Sequence, residues 1–183
     1  VFIARRVIDP LPPVVAARAA GLRMAPWAVV NLRLHEAPKD RGGAHPSWDN
    51  VTYGTTGLGY VDASHQSLPR VAGPRVWTWY LPLGDEPDAR RALLEKPWTH
   101  WRDRALAELS VPHPDLRERV REVAVTRYGH AMAIPAPGSL YEGPWHDDRL
   151  AFAHADWAGY SVFEEAFTRG HLAGEHIARR LRG

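Results

Sequence analysis

The chain has 183 residues, 45% of them hydrophobic and 24% charged, with a formal net charge of +2 and no cysteine. That length suits one globular body with a real core and is short for two full domains. Without cysteine there is no disulfide, thiolate nucleophile or Cys–metal site, and acids interspersed among the arginines argue against a nucleic-acid surface. No stretch approaches the ~20 apolar residues of a membrane span, and no secretory signal is visible, so the expected location is cytoplasmic.

Val1 to Ile8 reads as a short helix stopped by Pro10, Pro12 and Pro13, and Val14 to Leu22 as an Ala-rich helix. Trp27 to His35 alternates, which predicts a strand with Asn31, Arg33 and His35 on one face and Val30, Leu32 and Leu34 on the other. A Pro/Gly/charged loop from Ala37 to Asp49 leads into a hairpin. Its strands are Val51-Thr52-Tyr53 and a run from about Gly59 to Gln66. Val76 to Leu83 is a third, aromatic strand expected in the same antiparallel sheet. Asp88 to Ser110 reads as a helix interrupted near Pro97, with Asp88 as N-cap. Pro114 to Glu122 reads as a second, charged helix. Ala124 to Ile134 is another strand, ended by Pro135-Ala136-Pro137-Gly138.

The last segment is the most informative. Arg149-Leu150-Ala151-Phe152-Ala153-His154-Ala155-Asp156 reads as a short buried strand ending in an acid. Trp157 to Ser161 turns the chain around Gly159, and Val162 to Arg182 reads as one long helix. Strand, acid, Gly turn and helix N-terminus together present backbone N–H groups and a carboxylate to a nucleotide-type cofactor. Phe163, Ala166, Phe167, Gly170, Ala173, Gly174, Ile177, Ala178 and Leu181 form one apolar stripe. Each interior Gly costs ~1 kcal/mol relative to Ala, so two of them imply close approach by a strand or ligand. Ser161 reads as N-cap, with Glu164 at capping-box spacing. A helix that merely closes a sheet satisfies the same pattern.

These residues carry a resemblance. Phe152-Ala153, the acid Asp156 and the small residues Ala166, Gly170, Ala173 and Gly174 resemble the C-terminal flavin-binding segment of the amine-oxidase-like FAD-dependent oxidoreductases. His154-Ala155 lengthens the step to the acid, and Glu165 and Arg169 stand where that family has Gly and Ser. The run Asp156 to Ala166 is similar to a bacterial subgroup related to spermidine dehydrogenase. Pro26-Trp27, Arg41-Gly42-Gly43 and Trp48-Asp49-Asn50-Val51 extend that similarity. The resemblance implies FAD as cofactor, with Asp156 hydrogen-bonding its ribityl–pyrophosphate region. Backbone N–H groups after Gly159, near Tyr160, Ser161 and Val162, would face the flavin's pyrimidine edge. It implies hydride transfer from a small-molecule substrate, an amine in the subgroup reading, to FAD.

The family's Gly-x-Gly-x-x-Gly fingerprint at the first strand–helix turn is not found; Gly54, Gly57 and Gly59 have the wrong spacing. The chain also opens at Val1 rather than Met. The expectation is therefore an α+β chain forming the C-terminal part of a longer protein. Residues 1–145 would be an antiparallel substrate-domain sheet with helices. Residues 146–183 would be the C-terminal strand and long helix of a Rossmann-like FAD-binding domain whose N-terminal half is absent. Its partners would be FAD, a small-molecule substrate and that missing half or a partner chain. The alternative is a truncated, non-catalytic binding or subunit-association module.

Trp77, Trp79 and Tyr80 either line a substrate pocket or form core, and core is the simpler reading; the other tryptophans, Trp157 among them, read the same way. His171 and His176 are five apart, which does not place two metal ligands on one helix face. His146-Asp147-Asp148 reads as a solvated turn before it reads as a metal or acid/base cluster. His154 is either a flavin-side acid/base group or a structural histidine. No Gly-x-Ser-x-Gly elbow is present, which disfavours a serine hydrolase. No catalytic base is assigned.

Overall fold

The computed structural model describes residues 4–42, 47–66, 73–84, 87–137, 146 and 150–182. Gly43, Gly138, Trp145, Asp147, Asp148 and Arg149 lie outside the described residues. The fold is α+β. Five strands lie in the order β2-β3-β4-β1-β5: β1 Met24–Leu34, β2 Asp49–Asn50, β3 Tyr60–Asp62, β4 Arg75–Pro82 and β5 Val120–Ala133. The pairs β1–β4, β2–β3 and β3–β4 are antiparallel. The helices are α1 Ala4–Val7, α2 Pro13–Gly21, α3 Pro87–Glu95, α4 Trp98–Leu109, α5 Leu116–Arg119 and α6 Phe163–Arg182. Two compact units form, one of residues 26–129 and one joining 1–25 with 130–183.

In the unit 26–129, strand alternation builds the core. Val30, Leu32 and Leu34 are buried, while Asn31, Arg33 and His35 are not. The β1–β4 register sets Val30 opposite Trp79 and Leu32 opposite Trp77, so both indoles point to the same covered face. Trp101, Ala105, Leu106 and Leu109 of α4 and Leu93 of α3 complete the cluster. Trp77 and Trp79 are thus core residues. Tyr80 lies on the opposite face, where its ring centroid is 6.1 Å from that of Trp27.

Pro97 separates α3 from α4 because proline disfavours helical backbone in the residue before it. Arg127 Nη1 donates to the carbonyls of Leu94 (2.8 Å) and Lys96 (3.3 Å), satisfying groups that the end of α3 leaves open. Asp88 lies inside the first turn of α3, not at its cap.

The charged helix expected over 114–122 shrinks to Leu116–Arg119. From Val120 the chain is strand, and Val120, Val123 and Val125 pack against the core. Branched side chains that fit a pleated, half-buried surface override local helix preference here. The expected hairpin is displaced as well as shortened: Val51-Thr52-Tyr53 is not strand, the two-residue β2 lies just before it, and 63–66 forms a 3₁₀ turn instead of strand. Gly59 has φ +103°, and a Cβ there would lie 1.9 Å from the Asn50 carbonyl oxygen. That position accepts glycine alone.

In the other unit, Val15 and Ala19 of α2 bury against Phe152 and Trp157. Arg18 Nε donates to the Trp157 carbonyl at 2.9 Å, and the Ile134 N–H donates to the Arg23 carbonyl at 2.9 Å. Of the strand expected over 149–156, the described residues 150–156 do not form a run. An isolated bridge joins Ala151 to His146, and residues 155–157 make a 3₁₀ turn. A strand needs a neighbouring ladder; among the described residues Leu150 to His154 has that single bridge. Phe152 and Trp157 are held by side-chain packing instead, their ring centroids 6.2 Å apart.

Candidate functional site

The five residues expected to meet a cofactor form one continuous turn. The N–H groups of Trp157, Ala158 and Gly159 donate in succession to the carbonyls of His154, Ala155 and Asp156, at 3.1, 3.3 and 3.1 Å. Gly159 then takes φ +81°, a left-handed conformation that reverses the chain. Trp157, Ala158 and Gly159 are buried and Asp156 is half-buried, while Tyr160 and Val162 are exposed.

Ser161 does not cap α6. Its Oγ accepts the Ala133 N–H at 2.8 Å, tying the turn to the end of β5. The first helical bond runs from the Ala166 N–H to the Val162 carbonyl, 3.2 Å, which puts Val162 at the N-cap. The capping box therefore slips by one residue and Glu164 no longer stands at its third position. The N–H groups of Phe163, Glu164 and Glu165 have no acceptor within the helix. They collect the positive end of a 20-residue macrodipole.

His154 precedes the 3₁₀ turn. Partial desolvation holds its imidazole below the ordinary value, and the Asp156 carboxylate opposes that shift. The ring is therefore neutral near pH 7 and able to accept a proton. Among the described residues no group of three or more His, Asp or Glu side chains is placed to hold a metal ion. His171 pairs with Glu175 at 3.4 Å on the exposed side of α6. The ring of His176 stacks on that of His146, with centroids 3.3 Å apart.

Arg18 and Ala133, which hold this turn from α2 and β5, carry no sequence signal. Each acts across a separation of 28 residues or more, and a lone Arg or a backbone amide is invisible to periodicity. A comparison with protein-family models gives no match, and none of the curated proteins matches significantly. No helix among the described residues is long and apolar enough to cross a membrane.

Proposed function

We propose that this chain is the C-terminal portion of a flavin-dependent oxidoreductase of the amine-oxidase-like type. The observation that carries the reading is the turn itself. A half-buried acid, Asp156, is followed by a left-handed Gly159 and then by the open N-terminus of a long helix. These residues fit the edge of a flavin: a carboxylate for ribityl hydroxyls and backbone N–H groups that have no acceptor within the helix for an electron-rich ring edge. They do not make a whole cofactor cradle, because the glycine fingerprint for the pyrophosphate is absent from the 183 residues.

In this reading FAD, when bound, supplies the hydride-accepting chemistry. Asp156 orients the cofactor, and the start of α6 favours negative charge at the ring edge. A Rossmann-type half, on this polypeptide or another, completes the site. FAD retention in the assembled protein is the test. Asp156→Ala should lower flavin content about tenfold with the fold intact, the loss of one to two hydrogen bonds to a bound ligand. Unchanged flavin content would remove Asp156 from the site. A non-catalytic association module is the second reading. The uncovered apolar face of α6 favours it, and the sign would be an assembled protein that binds no flavin at all.

A further inference from the structure

α6 contributes no residue to either core. Phe163, Phe167 and Leu181 are 76%, 65% and 83% exposed. A Cβ added at Gly170 or Gly174 would meet nothing within 4 Å. The partly covered residues of the helix are Glu165, Arg169, Ala173, His176, Ile177 and Ala178, with Glu165 and Arg169 paired at 2.6 Å. Phe163, Phe167, Gly170, Gly174 and Leu181 of the stripe thus face outward, and Ile177 lies at its partly covered edge.

The spacing on that stripe is specific. Phe163, Phe167, Gly170, Gly174, Ile177 and Leu181 step by four and three in strict alternation, the seam of a two-stranded coiled coil. The stripe is also nearly symmetric about its midpoint. Set against a second copy running the other way, Phe163 meets Leu181, Phe167 meets Ile177 and Gly170 meets Gly174. Each layer then combines residues of suitable bulk, and the central glycines let the two backbones close together.

Charge selects the direction. The first turn of α6 holds Glu164 and Glu165, and the last holds Arg179, Arg180 and Arg182. A parallel pair would set acid beside acid, arginine beside arginine, and the two helix dipoles side by side in the same sense. An antiparallel pair sets the acidic end of each copy beside the basic end of the other, with Glu164 and Arg182 on one side of the seam.

We propose that α6 pairs antiparallel with α6 of a second copy of this chain, forming an isologous two-fold interface. The inference does not rest on the flavin reading, and a nucleotide-binding half seated on the same stripe would compete with it. Sedimentation equilibrium and cysteine cross-linking test it on the full 183-residue chain, which has no native cysteine to interfere. The wild-type chain should sediment as a dimer. Gly170→Lys has open space in the single copy and a better helix former than glycine, so the fold is kept. It places a charge in the seam and should weaken dimerisation about a hundredfold or more. Phe163→Cys and Leu181→Cys proteins should form a disulfide when mixed and none when kept apart. A monomeric wild type overturns the proposal, as does a dimer indifferent to Gly170→Lys. In either case the stripe is left to a nucleotide-binding half or to another protein. Self-cross-linking of Phe163→Cys alone overturns the antiparallel direction.

Discussion

The two compact units treat apolar surface in opposite ways. In 26–129, the inner faces of β1 and β4 are covered by α3 and α4, and Trp79, Trp101 and seven leucines or valines reach essentially zero exposure. In the other unit the buried cluster is Val15, Ala19, Phe152 and Trp157, while its longest helix leaves its phenylalanines in water. The first unit spends its aromatics on cohesion. The second keeps a small core that fixes a turn, and leaves a whole helix face for something else. Large uncovered apolar patches on folded chains mark interaction sites.

The strongest test of this contrast pairs two tryptophans, each fully buried in its own core. Trp79→Ala should cost about 3–5 kcal/mol, because it empties the centre of the larger cluster. Trp157→Ala should cost a comparable amount per side chain but act locally. Amide exchange should speed up in α2 and the 155–159 turn while β4 stays protected. Loss of β4 protection in Trp157→Ala would mean that the two cores are one cooperative structure.

A smaller effect probes how the larger unit is pinned. Glu108 accepts from Thr56 Oγ1 at 2.6 Å, the Gly57 N–H at 3.1 Å and Trp79 Nε1 at 3.1 Å. Glu108→Ala leaves a buried indole N–H without an acceptor and should cost about 1–3 kcal/mol in denaturant unfolding. A cost near zero would show that water replaces the carboxylate.

The smallest effect is a pH dependence. Tyr60 Oη and His113 Nε2 are hydrogen-bonded at 2.9 Å, and Tyr60 stacks on Trp77 with centroids 4.1 Å apart. Burial, and after it the negative charge of Asp62, pushes the Tyr60 phenol up to about 12, so it stays neutral. Burial also holds His113 below 6.5, against the pull of Asp115 and with the help of Arg41. The unfolded chain therefore binds more protons than the folded one just below pH 6.5, and stability should fall as pH drops through that range. His113→Gln should flatten the slope of unfolding midpoint against pH, and an unaltered slope would exclude His113 as its source.

The sheet was legible where side-chain periodicity alone decides structure. Val30, Leu32 and Leu34 alternate with polar residues, and Pro97 breaks a helical run, so β1, α3 and α4 could be read directly. Partners made the difference elsewhere. Residues 149–156 have strand-like composition, yet a strand is defined by its neighbour, and there His146 offers one bridge. Val120 to Glu122 sits in a charged context that reads as helix, yet the sheet recruits it. The stripe of α6 is a pattern in the sequence, but amphipathicity says which residues group together and not whether anything covers them. Ser161 looked like a cap and serves the end of β5 instead. A hydroxyl's choice between two backbone amides is settled by where the distant one lies.

Tyr53 is 98% exposed at the tip of the 51–59 loop, a position that in most proteins swings freely. Here the segment is clamped from beneath. Thr55 Oγ1 donates to the carbonyls of Thr52 and Gly57, Glu108 grips Thr56 and Gly57, and Gly59 is wedged against Asn50. The entropy of ordering this segment is lost when the chain folds, so its outward phenol is carried on a fixed mount. Visibility to solvent and freedom to move, which usually travel together in surface loops, are here separated by one carboxylate and two glycines.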